Sequence, residues 1–184
     1  VTTWINRLRT ALETEAGKHA ILFSDGLYRF NPAINIEVDT RECEFAMQQA
    51  ETAVKGSMQR IRHWEKALGH VSGEFLSEFP SLYWVQLEQE RYKRLIRMAT
   101  EEILEYYFQL QQFNQVLKWS EWTLKADPCC EAAHLYCLRA FEALGNRRGV
   151  VKHHERMAVI FARELGSGPP EEASLILNRV TRKA

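Results

Sequence analysis

A chain of 184 residues, 46% hydrophobic and 26% charged, has room for one domain or for one domain and part of another, and its composition excludes wholesale disorder. Its 24 basic and 24 acidic side chains cancel, so no bulk charge draws it to nucleic acid or to an anionic membrane, and such binding would need a local patch. No apolar run approaches ~18 residues and no charged leader precedes an apolar stretch; neither a membrane span nor a signal peptide is read, and the cytoplasm is the expected compartment.

In the first stretch Trp4, Ile5, Leu8, Ala11 and Leu12 recur at helical spacing, with Asn6, Arg7, Arg9 and Thr10 on the other face, which predicts an amphipathic helix stopped near Gly17. Two β-prone runs, 20–23 and 27–30, then flank Ser24-Asp25-Gly26, a hairpin signal that Pro32 closes.

From Asp39 onward the pattern is helical. Asp39 and Glu42 resemble a capping box ahead of a stripe of Phe45, Ala46, Ala50, Ala53 and Val54, with Gly56 as the stop. Ile61, Trp64, Ala67 and Leu68 mark a second helix. A loop over 70–80 leads to Ser81 as the expected N-cap of a long helix that carries Trp84, Leu87, Tyr92, Leu95, Met98, Ala99, Ile103, Tyr106 and Leu110. Helices near 114–126, 129–144 and 147–165 follow. After the Gly168-Pro169-Pro170 break comes a last helix near 171–182, with Leu175, Ile176 and Val180 facing inward.

Residues 110–117 align with 144–151, an offset of 34 residues (110 to 144), which is the tetratricopeptide period. Asp127-Pro128 falls where one unit would end and the next begin, since proline suits the first turn of a helix and not its interior. The expected fold is mostly α, a tetratricopeptide-like right-handed array of antiparallel helix pairs preceded by one helix and a short β-hairpin. Such pairs bury their apolar faces only by stacking, and the stack leaves a groove for a partner.

Little in the chain suggests chemistry. Cys43, Cys129, Cys130 and Cys137 lack the spacing of a zinc site and read as free, mostly buried thiols. His19, His63, His70, His134, His153 and His154 are scattered, and adjacent histidines on a helix do not share a face. Glu101, Glu102 and Glu105 read as a solvated acidic strip, and Arg91, Lys93, Arg94 and Arg97 as a solvated basic flank. Trp84, Trp119 and Trp122 read as packing residues, though one of them could line the groove. No catalytic residue, metal site or cofactor is expected.

From Val38 to Val180 the chain resembles the bacterial transcriptional activator domain, a tetratricopeptide-like module found beside winged-helix DNA-binding domains in antibiotic-pathway regulators. The resemblance rests on ordered, individually weak features: Val38-Asp39 with Phe45, residues 64–68, residues 73–80 with Trp84, Glu90-Arg91, Leu95, Asp127-Pro128, residues 131–134 and 143–146, and Glu164-Leu165-Gly166 followed by Pro169. Residues 1–12 are similar to the recognition helix of the winged-helix domain that precedes this module, and residues 21–30 to its C-terminal wing. The resemblance implies two domains: 1–35, the C-terminal part of a winged-helix domain, and 36–184, the activator domain. It places Thr2, Thr3, Asn6 and Arg7 against base edges or phosphates, Arg9 on a phosphate, and Ser24 and Arg29 beside the wing.

The strands and helices that precede a recognition helix in that family are absent here, so the chain is expected to be a piece of a longer regulator and by itself to bind specific DNA weakly. A helix of about twelve residues is marginal without packing partners, and 1–35 could instead serve as scaffold. Two function classes stay open. One is the regulatory half of a bacterial transcription activator, whose partners are DNA in the full-length protein and other protein domains or a second copy, with no membrane. The other is a protein-interaction scaffold with no direct DNA role. The Leu-Arg-x-x-Leu helix followed by a hairpin favours the first.

Overall fold

The computed structural model describes residues 2–12, 20–34, 37–71 and 73–182. The chain divides into two compact units, Val1–Val38 and Asp39–Ala184. The stop expected at Gly17, His19 and the side chains of Thr2 and Ala11 lie outside the described residues.

The first unit holds α1 (Thr2–Ala11), β1 (Ile21–Ser24) and β2 (Leu27–Phe30). The strands pair antiparallel, with Ile21 opposite Phe30 and Ser24 opposite Leu27. Asp25 at φ 56° and Gly26 at φ 79° form the two-residue turn. Positive φ at both central positions matches the right-handed twist of the strands, which is why Asp-Gly recurs in such hairpins. The expected apolar stripe on α1 is only partly covered. Ile5 is half-buried, but Trp4, Leu8 and Leu12 are exposed. One helix and two short strands have too little surface to cover that whole face within the unit.

The second unit is an array of helices: α2 (Asp39–Thr52), α3 (Met58–Gly69), α4 (Tyr83–Gln109), α5 (Phe113–Ala126), α6 (Glu131–Ala143), α7 (Arg147–Glu164) and α8 (Glu171–Arg182). Each packs on the next, and α6 also packs on α4 and α8, the pattern of stacked helix pairs. The 34-residue register appears in backbone hydrogen bonds. At the end of α4, Gln112 N–H donates to Tyr107 O and Gln111 N–H to Phe108 O; at the end of α6, Asn146 N–H donates to Phe141 O and Gly145 N–H to Glu142 O. Both are Schellman caps, and the residue in the left-handed region is Gln111 (φ 56°) in the first and Gly145 (φ 67°) in the second.

One core runs through α2 to α6 around Met47, Ile61, Trp64, Leu68, Ile103, Leu104, Val116 and Trp119. A smaller one joins α6, α7 and α8 through Leu138, Val150, Met157, Phe161, Ala173 and Ile176. Polar staples cross the first. The Arg60 guanidinium donates to both carboxylate oxygens of Glu102 at 2.6 and 2.8 Å, and its Nη1 donates to the carbonyls of Ala50, Glu51 and Ala53 at the end of α2. Trp64 Nε1–H also donates to Glu102. On the next turn of α3, Glu65 accepts from the Tyr107 hydroxyl and from Trp119 Nε1–H.

Four expectations are corrected. Glu102 is no member of a solvated strip, because two residues of α3 bind it. The buried stripe of α2 is Cys43, Ala46, Met47 and Ala50, while Phe45 and Val54 are exposed; Phe45 lies about 100° around the helix from Ala46 and so faces outward. Ser81 is not the N-cap of α4, which begins at Tyr83 with Leu82 in that place and no side-chain cap. Trp84 and Leu87 on α4, and Leu175 on α8, are about half exposed. At 27 residues against 14, α4 outruns α5, so its first turns lack that cover.

Candidate functional site

In the first unit, Arg9 joins helix to hairpin: its Nη2–H donates to the carbonyl of Ile21 at 3.0 Å. The Arg9 guanidinium is therefore engaged within the unit, on the side of α1 that also half-buries Ile5. Thr3, Asn6, Arg7 and Thr10 are exposed, and their spacing gathers them on one side of the helix, with Asn6 bordering Arg9. Arg7 lies over the Trp4 ring, 5.1 Å from its centroid. On the hairpin, Arg29 is opposite Leu22 and Ser24 is opposite Leu27, so Arg29 and Ser24 share one face. Phe23 and Tyr28 meet on the other, with centroids 4.7 Å apart and ring planes tilted by 41°. Thr3, Asn6 and Arg7 thus come together, and Ser24 and Arg29 come together.

In the second unit a cleft of about 540 Å³ opens between Val71, residues 73–75, the first half of α4 and the end of α5. Phe75, Tyr92, Ile96 and Trp122 supply its apolar wall, and Glu74, Lys93 and Lys125 its charged rim. The wall is pre-built: Phe75 stacks on Tyr92 at 5.4 Å, and the buried Gln89 donates from Nε2 to the Phe75 carbonyl at 2.8 Å. Leu76, next along, is held at φ 43°, a conformation that bulky residues rarely adopt. Trp122 is the tryptophan at the groove, and Trp119 is buried. Phe75 was legible only as part of the 70–80 loop and of the family resemblance, and Gln89 not at all, because a loop aromatic and a helix-surface glutamine reveal their partnership only once the loop is folded back. The spacing of Tyr92 and Ile96 at i and i+4 was the available signal.

The basic run on α4 is largely neutralised. Arg91 pairs with Glu44 and Glu88, Lys93 with Glu74 and Glu90, and Arg97 with Asp127. Arg91 and Tyr92 holding its carboxylate keep Glu44 below the usual range against the opposing effect of burial.

Two scattered histidines prove to be neighbours. His134 Nδ1 is 2.9 Å from His153 Nε2, His134 Nε2 is 3.0 Å from the Pro128 carbonyl, and Cys137 Sγ is 3.4 Å from His153 Nδ1. A carbonyl can only accept, so His134 is protonated at Nε2. It therefore accepts at Nδ1 from His153 Nε2–H, and His153 Nδ1 takes the Cys137 S–H. Every site in this buried chain is filled by neutral groups. Burial pushes the Cys137 thiol up to about 12 and His153 down to about 4. A thiol so protonated is no nucleophile. The His153 ring stands between the sulfur and His134, so no single point suits all three as metal ligands. His134 and His153 occupy the positions of Thr100 and Trp119 one repeat earlier.

The family model for the bacterial transcriptional activator domain matches residues 38–179. Among solved structures, the chain is similar to Mycobacterium tuberculosis EmbR in complex with a low-affinity phosphopeptide, with a TM-score of 0.60 and 16% identity over 99% of this chain and 49% of that one. The likeness is one of fold, and the chain spans about half the length of the EmbR chain. No curated protein matches it.

Proposed function

The chain belongs to the bacterial transcriptional activator domain family, and from that premise we propose that residues 36–184 are the regulatory, protein-binding domain of a transcription activator, coupled to residues 1–35 as the C-terminal part of a winged-helix DNA-binding domain. The family is a class of transcription regulators and not of enzymes. The observation that carries the coupling is the separate helix–hairpin unit ahead of the matched segment, with Thr3, Asn6 and Arg7 gathered on one exposed helical face. On this reading Thr2, Thr3, Asn6 and Arg7 meet base edges or phosphates, and Ser24 and Arg29 meet backbone beside the wing. Arg9, assigned to a phosphate by resemblance, holds helix and hairpin together and presents the others. The cleft beside α4 takes a segment of another protein or of a second copy. EmbR, solved with a phosphopeptide, makes a peptide the first partner to try. Among the described residues no helix is long and apolar enough to cross a membrane.

The test is selection of binding sites from random duplex DNA by the polypeptide as its gene encodes it, followed by anisotropy on the selected site. Nanomolar, sequence-dependent binding is expected, with Asn6→Ala and Arg7→Ala each costing about 1–3 kcal/mol of discrimination. Binding without sequence preference, or untouched by both substitutions, favours the second reading: a tetratricopeptide-like scaffold with no direct DNA role. The Arg9 anchor speaks for that reading, since it commits one cation of α1 to structure.

A further inference from the structure

On the outward face of α7, Arg148, Lys152 and Arg156 follow one another at i, i+4 and i+8. All three are exposed, and none forms an ion pair among the described residues. Four residues of helix rise about 6 Å, so the three charges make a row roughly 12 Å long. Arg163 extends the row but is tied to Glu164, and Arg147, off the row, donates to the Thr181 carbonyl. Glu155 is the one acid on that face and offsets a single charge. This contrasts with α4, where Arg91, Lys93 and Arg97 all meet carboxylates. The molecule carries no net charge, yet here it leaves three positive charges in a row with no ion pair and a single acid on the same face.

We propose that this face of α7 is a second, sequence-independent contact for the phosphate backbone of duplex DNA. The choice of duplex follows from what the face lacks. Val159 is the one large hydrophobic side chain that α7 exposes, so the face offers no Trp or Tyr anchor and a single small aliphatic side chain to a protein partner. It exposes no aromatic ring on which the bases of a single strand could stack. A bare row of Arg and Lys suits phosphates, which are bound by charge and fix position without reading sequence. The choice of DNA over other polyanions rests on the transcription-activator reading above.

The experiment measures affinity against salt for the gene-encoded polypeptide and for Arg148→Gln/Lys152→Gln/Arg156→Gln, on the selected duplex and on a scrambled one. Glutamine keeps helix propensity close to that of Arg and Lys, and superimposable thermal melts confirm that the variant folds. Each lost phosphate contact takes about 0.9 from the slope of log K against log salt, so the slope becomes shallower by about 2.7 on both duplexes while their affinity ratio holds. Replacing Arg148 and Arg156 by lysine restores the wild-type slope. An unchanged slope overturns the proposal. So does a variant that keeps its DNA slope but escapes competition by poly-glutamate, which would mark the face as a site for an acidic protein. A shifted slope in a polypeptide indifferent to sequence and to the Asn6 and Arg7 substitutions supports the α7 contact and sinks only the recognition role of α1. No affinity for either duplex sinks both.

Discussion

Burial takes the whole Trp64 side chain out of water, yet its indole N–H keeps Glu102 as a partner 3.0 Å away. Trp64→Ala therefore opens a cavity and strips a donor from a carboxylate. A loss of about 3–5 kcal/mol is expected, read as a lower denaturant midpoint. His153 gives a signed dependence on pH. Folded, it protonates only near pH 4, because burial and the adjacent His134 oppose its charge; unfolded, it protonates near 6.5. Its contribution is fully present above about 6.5 and is lost as pH falls from there toward 4, where the unfolded chain binds a proton that the folded chain refuses. The amount is on the order of 3 kcal/mol, and His153→Gln should flatten the wild-type curve of stability against pH over that interval. The thiols follow the same logic. Cys43 and Cys137 are raised by burial to about 11 and about 12, so at pH 8 a thiol reagent should reach at most the half-buried Cys129 until the chain unfolds.

At the scale of helices and turns, the matched caps at Gln111 and Gly145 allow an internal comparison. A non-glycine residue in the left-handed region costs about 1 kcal/mol or more. Gln111→Gly should raise the melting temperature, and Gly145→Ala should lower it by a similar free energy. The sequence revealed this register because cap residues are local: Leu110 to Leu117 and Leu144 to Val151 align without any knowledge of tertiary structure. Helix type, order and approximate ends were legible for the same reason. Which face each helix buries was less so. On α2, Ala46 and Ala50 were placed correctly but Phe45 was not, since its bulk suggested a core that the neighbouring helices do not build around it. Glu102 was misread because its partners, Arg60 and Trp64, lie about forty residues upstream, and a carboxylate between Glu101 and Glu105 carries no local sign of that bond. The Phe75–Tyr92 wall of the cleft and the His134–His153 pair were hidden likewise: each joins segments whose approach is set by packing and not by spacing.

Across the whole molecule, the array carries two cores of unequal size that meet at α6. Stability in stacked helix pairs is close to a sum of each unit and its interfaces. The α7–α8 end, with the smaller core, should therefore open at a lower free energy than α3 to α5. Native-state hydrogen exchange would show graded protection, weakest in α8 and strongest in α3 and in the second half of α4; uniform protection would mean a single cooperative block. The opposite end behaves differently because of Arg60. One guanidinium holds the last carbonyls of α2 while its remaining donors hold Glu102 on α4. Fraying of the final turn of α2 would take the carbonyl acceptors from Nη1 while Nε and Nη2 stay on Glu102, so the end of α2 is tied to α3 and α4 through one group. A partner tugging on that end would pull against three helices latched by a single side chain.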